Sequence, residues 1–97
     1  MATKDRMSPE DARTSIASLV GWELHGDAIR RRYQFKDFKE SMAFVRRVAD
    51  LADRADHHPD ILIEYNKVTL TLWTHAIQGL HENDFVLAAR IDKIAGG

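Results

Sequence analysis

Apolar positions along this chain change period four times. Between Ser8 and Val20 they recur at helical spacing, as Ala12, Ile16, Leu19 and Val20, which marks one face of a helix. Ser8 is a suitable N-cap and Pro9 a suitable first residue. Glu10 and Asp11 face the positive end of the dipole, and Gly21 is a natural stop. A period of two follows. Trp22 and Leu24 alternate with polar residues, and His25-Gly26-Asp27 reads as a turn. Ile29, Arg31, Tyr33 and Phe35 then share one side of a second strand against Arg30, Arg32 and Gln34.

Helical spacing returns at Asp37, which with Glu40 makes a capping-box-like start for a helix reaching about Asp56. Its apolar set (Phe38, Met42, Phe44, Val45, Val48, Ala49, Leu51, Ala52 and Ala55) covers about half the circumference. One stripe is expected to pack on a sheet; the remaining flank, Phe44, Leu51 and Ala55, reads either as a wide core face or as a surface for self-association. Ile61 to Tyr65, a turn at Asn66-Lys67, and Val68 to His75 then form a second hairpin. Its second strand alternates strictly, with Val68, Leu70 and Leu72 against Thr69, Thr71, Trp73 and His75. Gly79 marks the loop out, and Glu82-Asn83-Asp84 opens a last helix carrying Phe85, Ala88 and Ile91. The order α-β-β-α-β-β-α predicts an α+β domain: a four-stranded antiparallel sheet with helices packed on one face.

Ninety-seven residues suit one domain, residues 1–97, which buries roughly 65% of its unfolded surface. Flexibility is expected only at residues 1–7 and 96–97. The absence of cysteine excludes disulfides, thiol catalysis and thiolate metal sites. No apolar run has the length of a membrane span, and the N-terminal residues lack the apolar stretch of a secretory signal, so a cytoplasmic address is expected. Fourteen basic against fifteen acidic residues leave no basic excess for nucleic acid. Arg30-Arg31-Arg32 does not change this, because adjacent strand residues face opposite ways.

The chemistry concentrates at His57-His58-Pro59, followed by Tyr65, His75 and Asp84. Pro59 disfavours helical geometry at His58, so the two imidazoles fall at a helix-to-strand junction. Counted back from the expected turn, Tyr65 pairs near Val68 and Pro59 lies opposite about Thr74. The hairpin therefore brings His57 and His58 towards His75. Histidines converging on one pocket suit proton transfer near neutral pH. Asp84 can serve as a first-turn helix carboxylate or hold a histidine's second nitrogen. Asp53, His25 and His81 read as ordinary surface or structural residues. Zinc is the rival use of three histidines, but adjacent histidines lack the usual ligand spacing, so no metal is expected. Neither a nucleophile elbow nor a phosphate-binding glycine loop is present.

In these residues the sequence resembles the pterin-4a-carbinolamine dehydratases. Asp53, His57, His58, Pro59, Tyr65, His75 and Asp84 fall in register with that family's motif, and Tyr65-Asn66-Lys67-Val68, Thr74-His75, Gly79-Leu80 and Asn83-Asp84-Phe85 match its surroundings. Ile61 stands where some members carry a tryptophan. The resemblance implies dehydration of 4a-hydroxytetrahydropterin to quinonoid dihydropterin, with no cofactor besides the pterin substrate. It implies catalysis by His57, His58 and His75. Asp84 would orient His75, Asp53 would tune His57, and Pro59, Ile61, Thr74 and His75 would contact substrate. It also implies a homodimer or homotetramer built through the long helix. The alternative is a non-enzymatic role on the same fold, since relatives serve as transcription-factor dimerisation cofactors or RuBisCO assembly factors.

Overall fold

The computed structural model describes residues 6–96. Its elements are α1 (Pro9–Ile16), β1 (Glu23–His25), β2 (Ala28–Gln34), α2 (Phe38–Ala55), β3 (Asp60–Glu64), β4 (Lys67–Leu72), a short 3-10 turn (His75–Ile77) and α3 (Glu82–Gly96). The strands form one antiparallel sheet in the order β1-β2-β4-β3, so the two hairpins join through β2 and β4. The expected element order and fold class are those found.

Strand alternation decides which face is covered. Ile29 and Tyr33 on β2 and Val68, Leu70 and Leu72 on β4 are buried together with Phe44, Val48 and Leu51 of α2 and Phe85, Leu87, Ala88 and Ile91 of α3. Arg30 and Arg32 take the opposite, open face, where Arg30 pairs with Glu23 at 2.8 Å. Arg31 points inward, its guanidinium 4.5 Å from the Tyr33 ring centroid, a cation–π contact. The arginine run is thus divided between faces. No helix among the described residues is long and apolar enough to cross a membrane.

Two expectations need correcting. The first helix stops at Ile16 rather than near Val20, and Val20 is exposed. Ser18 turns back onto the Ser15 carbonyl through both its backbone N–H and its hydroxyl, a local competitor of the helical ladder. Gly21 follows with φ +94°, and a Cβ there would lie 2.7 Å from the Arg31 guanidinium carbon. Gly21 therefore turns Trp22 inward instead of ending a helix. Second, Phe44 and Leu51 are buried in the core, so the expected α2 flank is reduced to Ala55, with Phe38 exposed at the helix start. Phe44 belongs to the sheet-facing stripe: its ring centroid lies 4.8 Å from that of Tyr33 on β2 and 4.9 Å from that of Phe35 just beyond it.

Arg6 and Met7 touch the rest of the domain. Met7 packs against the core and its N–H donates to the Leu80 carbonyl at 2.8 Å, while Arg6 donates twice to the Ile77 carbonyl. Gly96 closes α3. The parts of the flexibility expectation at residues 1–5 and 97 lie outside the described residues.

Candidate active site

The site is built on three chain ends. α2 begins where Asp37 accepts from the Glu40 N–H, and Glu40 reaches back to the Lys36 N–H. It ends at Asp56, which is left-handed (φ 53°, ψ 42°). The His57 N–H donates to the Ala52 carbonyl at 3.1 Å, and the Asp56 N–H donates to the Asp53 carbonyl. This is the Schellman arrangement, here using an aspartate where glycine is commonest. It fixes the backbone of His57 before Pro59 turns the chain into β3.

β4 supplies the second end. Beyond Leu72, Thr74 and Gly79 exchange two backbone hydrogen bonds that close the loop carrying the 3-10 turn. α3 supplies the third through a reciprocal cap. His81 Nδ1 accepts from the Asn83 N–H at 3.0 Å, and Asp84 Oδ2 accepts from the His81 N–H at 2.9 Å. The pattern is a capping box with a histidine in the serine position.

Asp84 joins the three ends. It is fully buried, and its Oδ1 lies 2.5 Å from His57 Nε2 while Oδ2 also accepts from Thr74 Oγ1 at 2.9 Å. Three donors thus converge on one carboxylate in the protein interior. Donation to Asp84 puts the His57 proton on Nε2, leaving Nδ1 with no protein partner among the described residues. His57 borders a cavity of about 480 Å³ together with Asp56, Thr74, Ile77, His81 and Arg90. A ring held at one nitrogen and free at the other can move a proton to or from a molecule in that cavity.

The remaining expected residues sit differently. His58 pairs with Asp53 at 2.9 Å, with side chains 59% and 78% exposed, and neither borders the cavity. The carboxylate partners are thus exchanged relative to expectation: Asp84 holds His57 rather than His75, and Asp53 meets His58 rather than His57. The direction of the chain after the Schellman turn decides this, since successive residues leave it on different sides. His75 is exposed and packs against Trp73, with ring centroids 4.6 Å apart. It is next to Thr74 but does not border the cavity.

The expected turn is displaced as well. Tyr65 and Asn66 form it, with Tyr65 left-handed at φ 56°, and Glu64 pairs with Lys67. Asn66 is held by Phe35, whose N–H donates to the Asn66 carbonyl at 2.7 Å and whose carbonyl accepts from the Asn66 side chain. Ile63 therefore faces Val68, and Asp60 faces Thr71. Tyr65 lies at the far end of the hairpin from Thr74 and is exposed. Pro59 and Ile61 also fall outside the cavity lining, whereas Thr74 belongs to it. His81, expected to be structural, caps α3 and borders the cavity. Its spacing from Asp84 is the signal that could have revealed it.

The arrangement, with a buried carboxylate aiming a histidine at a cavity between a helix end and a β-hairpin, defines a candidate proton-transfer site. The family model for pterin 4 alpha carbinolamine dehydratase matches residues 5–94. A Thermomicrobium roseum protein assigned by name as a pterin-4-alpha-carbinolamine dehydratase is 53% identical over 85 residues, covering 84% of this chain and 91% of its own. A Vibrio cholerae protein with the same assignment is 44% identical over 92 residues, covering 91% of this chain and 84% of its own.

Among solved structures, a transcriptional coactivator/pterin dehydratase from Brucella melitensis superposes with a TM-score of 0.88 at 34% identity, covering 94% of this chain and 99% of its own. A pterin dehydratase-like protein described as a RuBisCO assembly factor in the alpha-carboxysome gives a TM-score of 0.65 at 25% identity, covering 78% of this chain and 88% of its own. The chain belongs to the pterin-4a-carbinolamine dehydratase family.

Proposed function

We propose that this protein dehydrates 4a-hydroxytetrahydropterin to quinonoid dihydropterin by histidine acid–base catalysis, with no metal or redox cofactor. The observation that carries this reading is the His57 ring, anchored through Nε2 to buried Asp84 and bordering the cavity. In the reaction the C4a–O bond breaks and the hydroxyl takes a proton to leave as water. The N5 proton goes to a base, and the electrons of the N5–H bond form the C4a=N5 double bond. One group must give a proton and one must accept one, and each is worth on the order of 10²–10⁴ in rate.

His57 takes one of these roles at the cavity, and His58, outside the lining, takes the other through solvent. His57 is the oriented member, with Asp84 as its positioning residue. His58 exchanges protons with solvent from its exposed place beside Asp53. His75 stands outside the cavity lining and has no substrate contact in this scheme, while Thr74 donates to Asp84 and borders the cavity. The substrate supplies the conjugation that drives elimination, so the chemistry calls for no further group.

Stopped-flow measurement of quinonoid dihydropterin formation at pH 7 tests the reading, using metal-analysed wild type, His57→Ala and His58→Ala. The expected result is acceleration over the spontaneous rate that falls by about tenfold or more in each variant. No acceleration by wild type sinks the proposal. A stoichiometric metal that activity requires replaces its mechanism.

A further inference from the structure

The cavity beside His57 runs on along α3, past the residues that the elimination uses. Its α3 wall is Asn83, Val86, Leu87 and Arg90, the i, i+3, i+4, i+7 stripe of a single helix face. The opposite face of the same helix turns Phe85, Ala88 and Ile91 into the core. Seven residues of helical rise place Arg90 roughly 10 Å along the axis from Asn83. Side chains on a helix lean towards its N-terminus, so the Arg90 guanidinium reaches back along this wall.

Among the described residues, none is held by the Arg90 side chain through a hydrogen bond or ion pair, whereas Arg6, Arg30 and Arg31 each hold one. The acidic residue bordering the cavity, Asp56, is not paired with it. At the other end of the wall stands His81. Because its Nδ1 accepts from the Asn83 N–H, the neutral ring carries its proton on Nε2, a donor that no described protein group uses. Arg90 and His81, each with a donor that no described protein group uses, therefore border one cavity whose apolar lining includes Ile77, Val86 and Leu87. A planar fork of donors beside apolar surface suits a carboxylate or phosphate attached to a largely apolar body.

We infer that this wall selects a pterin bearing an anionic group on its side chain, with Arg90 pairing the charge and His81 Nε2–H donating nearer the ring. The inference rests on the pterin reading of the cavity and adds the class of side chain. The ring lies against His57, and the substituent extends along α3 towards Arg90.

Binding of stable oxidised pterins tests this without turnover. Pterin fluorescence is titrated with wild type, Arg90→Met and Arg90→Lys, using 6-hydroxymethylpterin, its phosphate monoester and 6-carboxypterin. Wild type is expected to bind at least one anionic pterin about tenfold more tightly than the neutral one, and which of the two shows the preference identifies the anion. That ratio falls below about threefold in Arg90→Met, recovers in Arg90→Lys, and shrinks as salt is raised. Arg90 is exposed, so its variants are expected to melt like wild type. If the neutral pterin binds and the anionic ones bind no better, the inference is overturned and the pterin reading stands. A preference that persists in Arg90→Met overturns it equally. If none of the three pterins binds wild type, the pterin reading fails and takes the inference with it.

Discussion

Two carboxylates on α3, Asp84 and Asp92, use the same device for different ends. Each draws several donors from distant parts of the chain onto one side chain. Asp92 accepts from the Trp22 indole at 3.0 Å, from Arg31 at 3.1 Å and from the Tyr33 hydroxyl at 2.5 Å. Asp84 accepts from His57, Thr74 and the His81 backbone. The Asp92 donors are an indole, a guanidinium and a phenol, none of which changes charge near neutral pH. Together they tie β2 and the residues before β1 to the C-terminal half of α3. The Asp84 set contains a histidine whose second nitrogen is free beside a cavity. The donors, more than the carboxylate, separate a structural knot from a site able to do chemistry.

Replacing each carboxylate by asparagine breaks the comparison most sharply. Asp84→Asn removes the charge that orients His57 and is expected to lower kcat by about 10²-fold or more, as steady-state dehydration assays would show. Asp92→Asn is expected to leave kcat within about threefold while costing about 2–3 kcal/mol of stability, read from urea unfolding. Equal kinetic losses in the two variants would mean that Asp84 is only another structural knot.

A pH experiment sharpens the same contrast. Burial, followed by the hydrogen bond to Asp92 and its negative charge, pushes the Tyr33 hydroxyl far above its ordinary value of 10.0. Above pH 10 the unfolded chain loses this proton while the folded one keeps it. The unfolded state then binds fewer protons, so stability falls as pH rises. Unfolding curves from pH 8 to 11 should show this alkaline loss in wild type, and Tyr33→Phe should lose less over the same window. A parallel slope in the variant would assign the alkaline loss to another group.

Thr74→Val removes one of the three donors to Asp84 and is expected to cost about 1 kcal/mol, with a measurable loss of kcat because Asp84 is less firmly held. The smallest effect belongs to the exposed pair. Asp53→Asn should change stability by less than about 1 kcal/mol, and salt should reduce even that. A larger loss would mean that His58–Asp53 is covered in solution, as by a second copy of the chain.

Much of the fold was legible because its causes are local. Alternation in Val68, Leu70 and Leu72 and helical spacing in Phe85, Ala88 and Ile91 each report a buried face without reference to the rest of the chain. The error in the β3–β4 turn left this intact. The pairing shifted by two residues, and an even shift keeps every side chain on its face. The same shift undid the expected neighbours of Tyr65 and Pro59. Likewise, the helical pattern of α2 named its apolar residues but could not say that Phe44 would pack on Tyr33 and Phe35.

The sequence by itself therefore determined the α+β order, the sheet face that is buried and the candidate histidines, since periodicity, capping residues and motif spacing are properties of short segments. Only the tertiary structure decided which carboxylate serves which histidine. That pairing depends on the left-handed turn at Asp56, the length of β4 and the entry of α3, three chain ends that meet at Asp84 from positions as much as 27 residues apart. A side chain's partner is set by where its backbone points when separate elements pack, and no local pattern carries that direction.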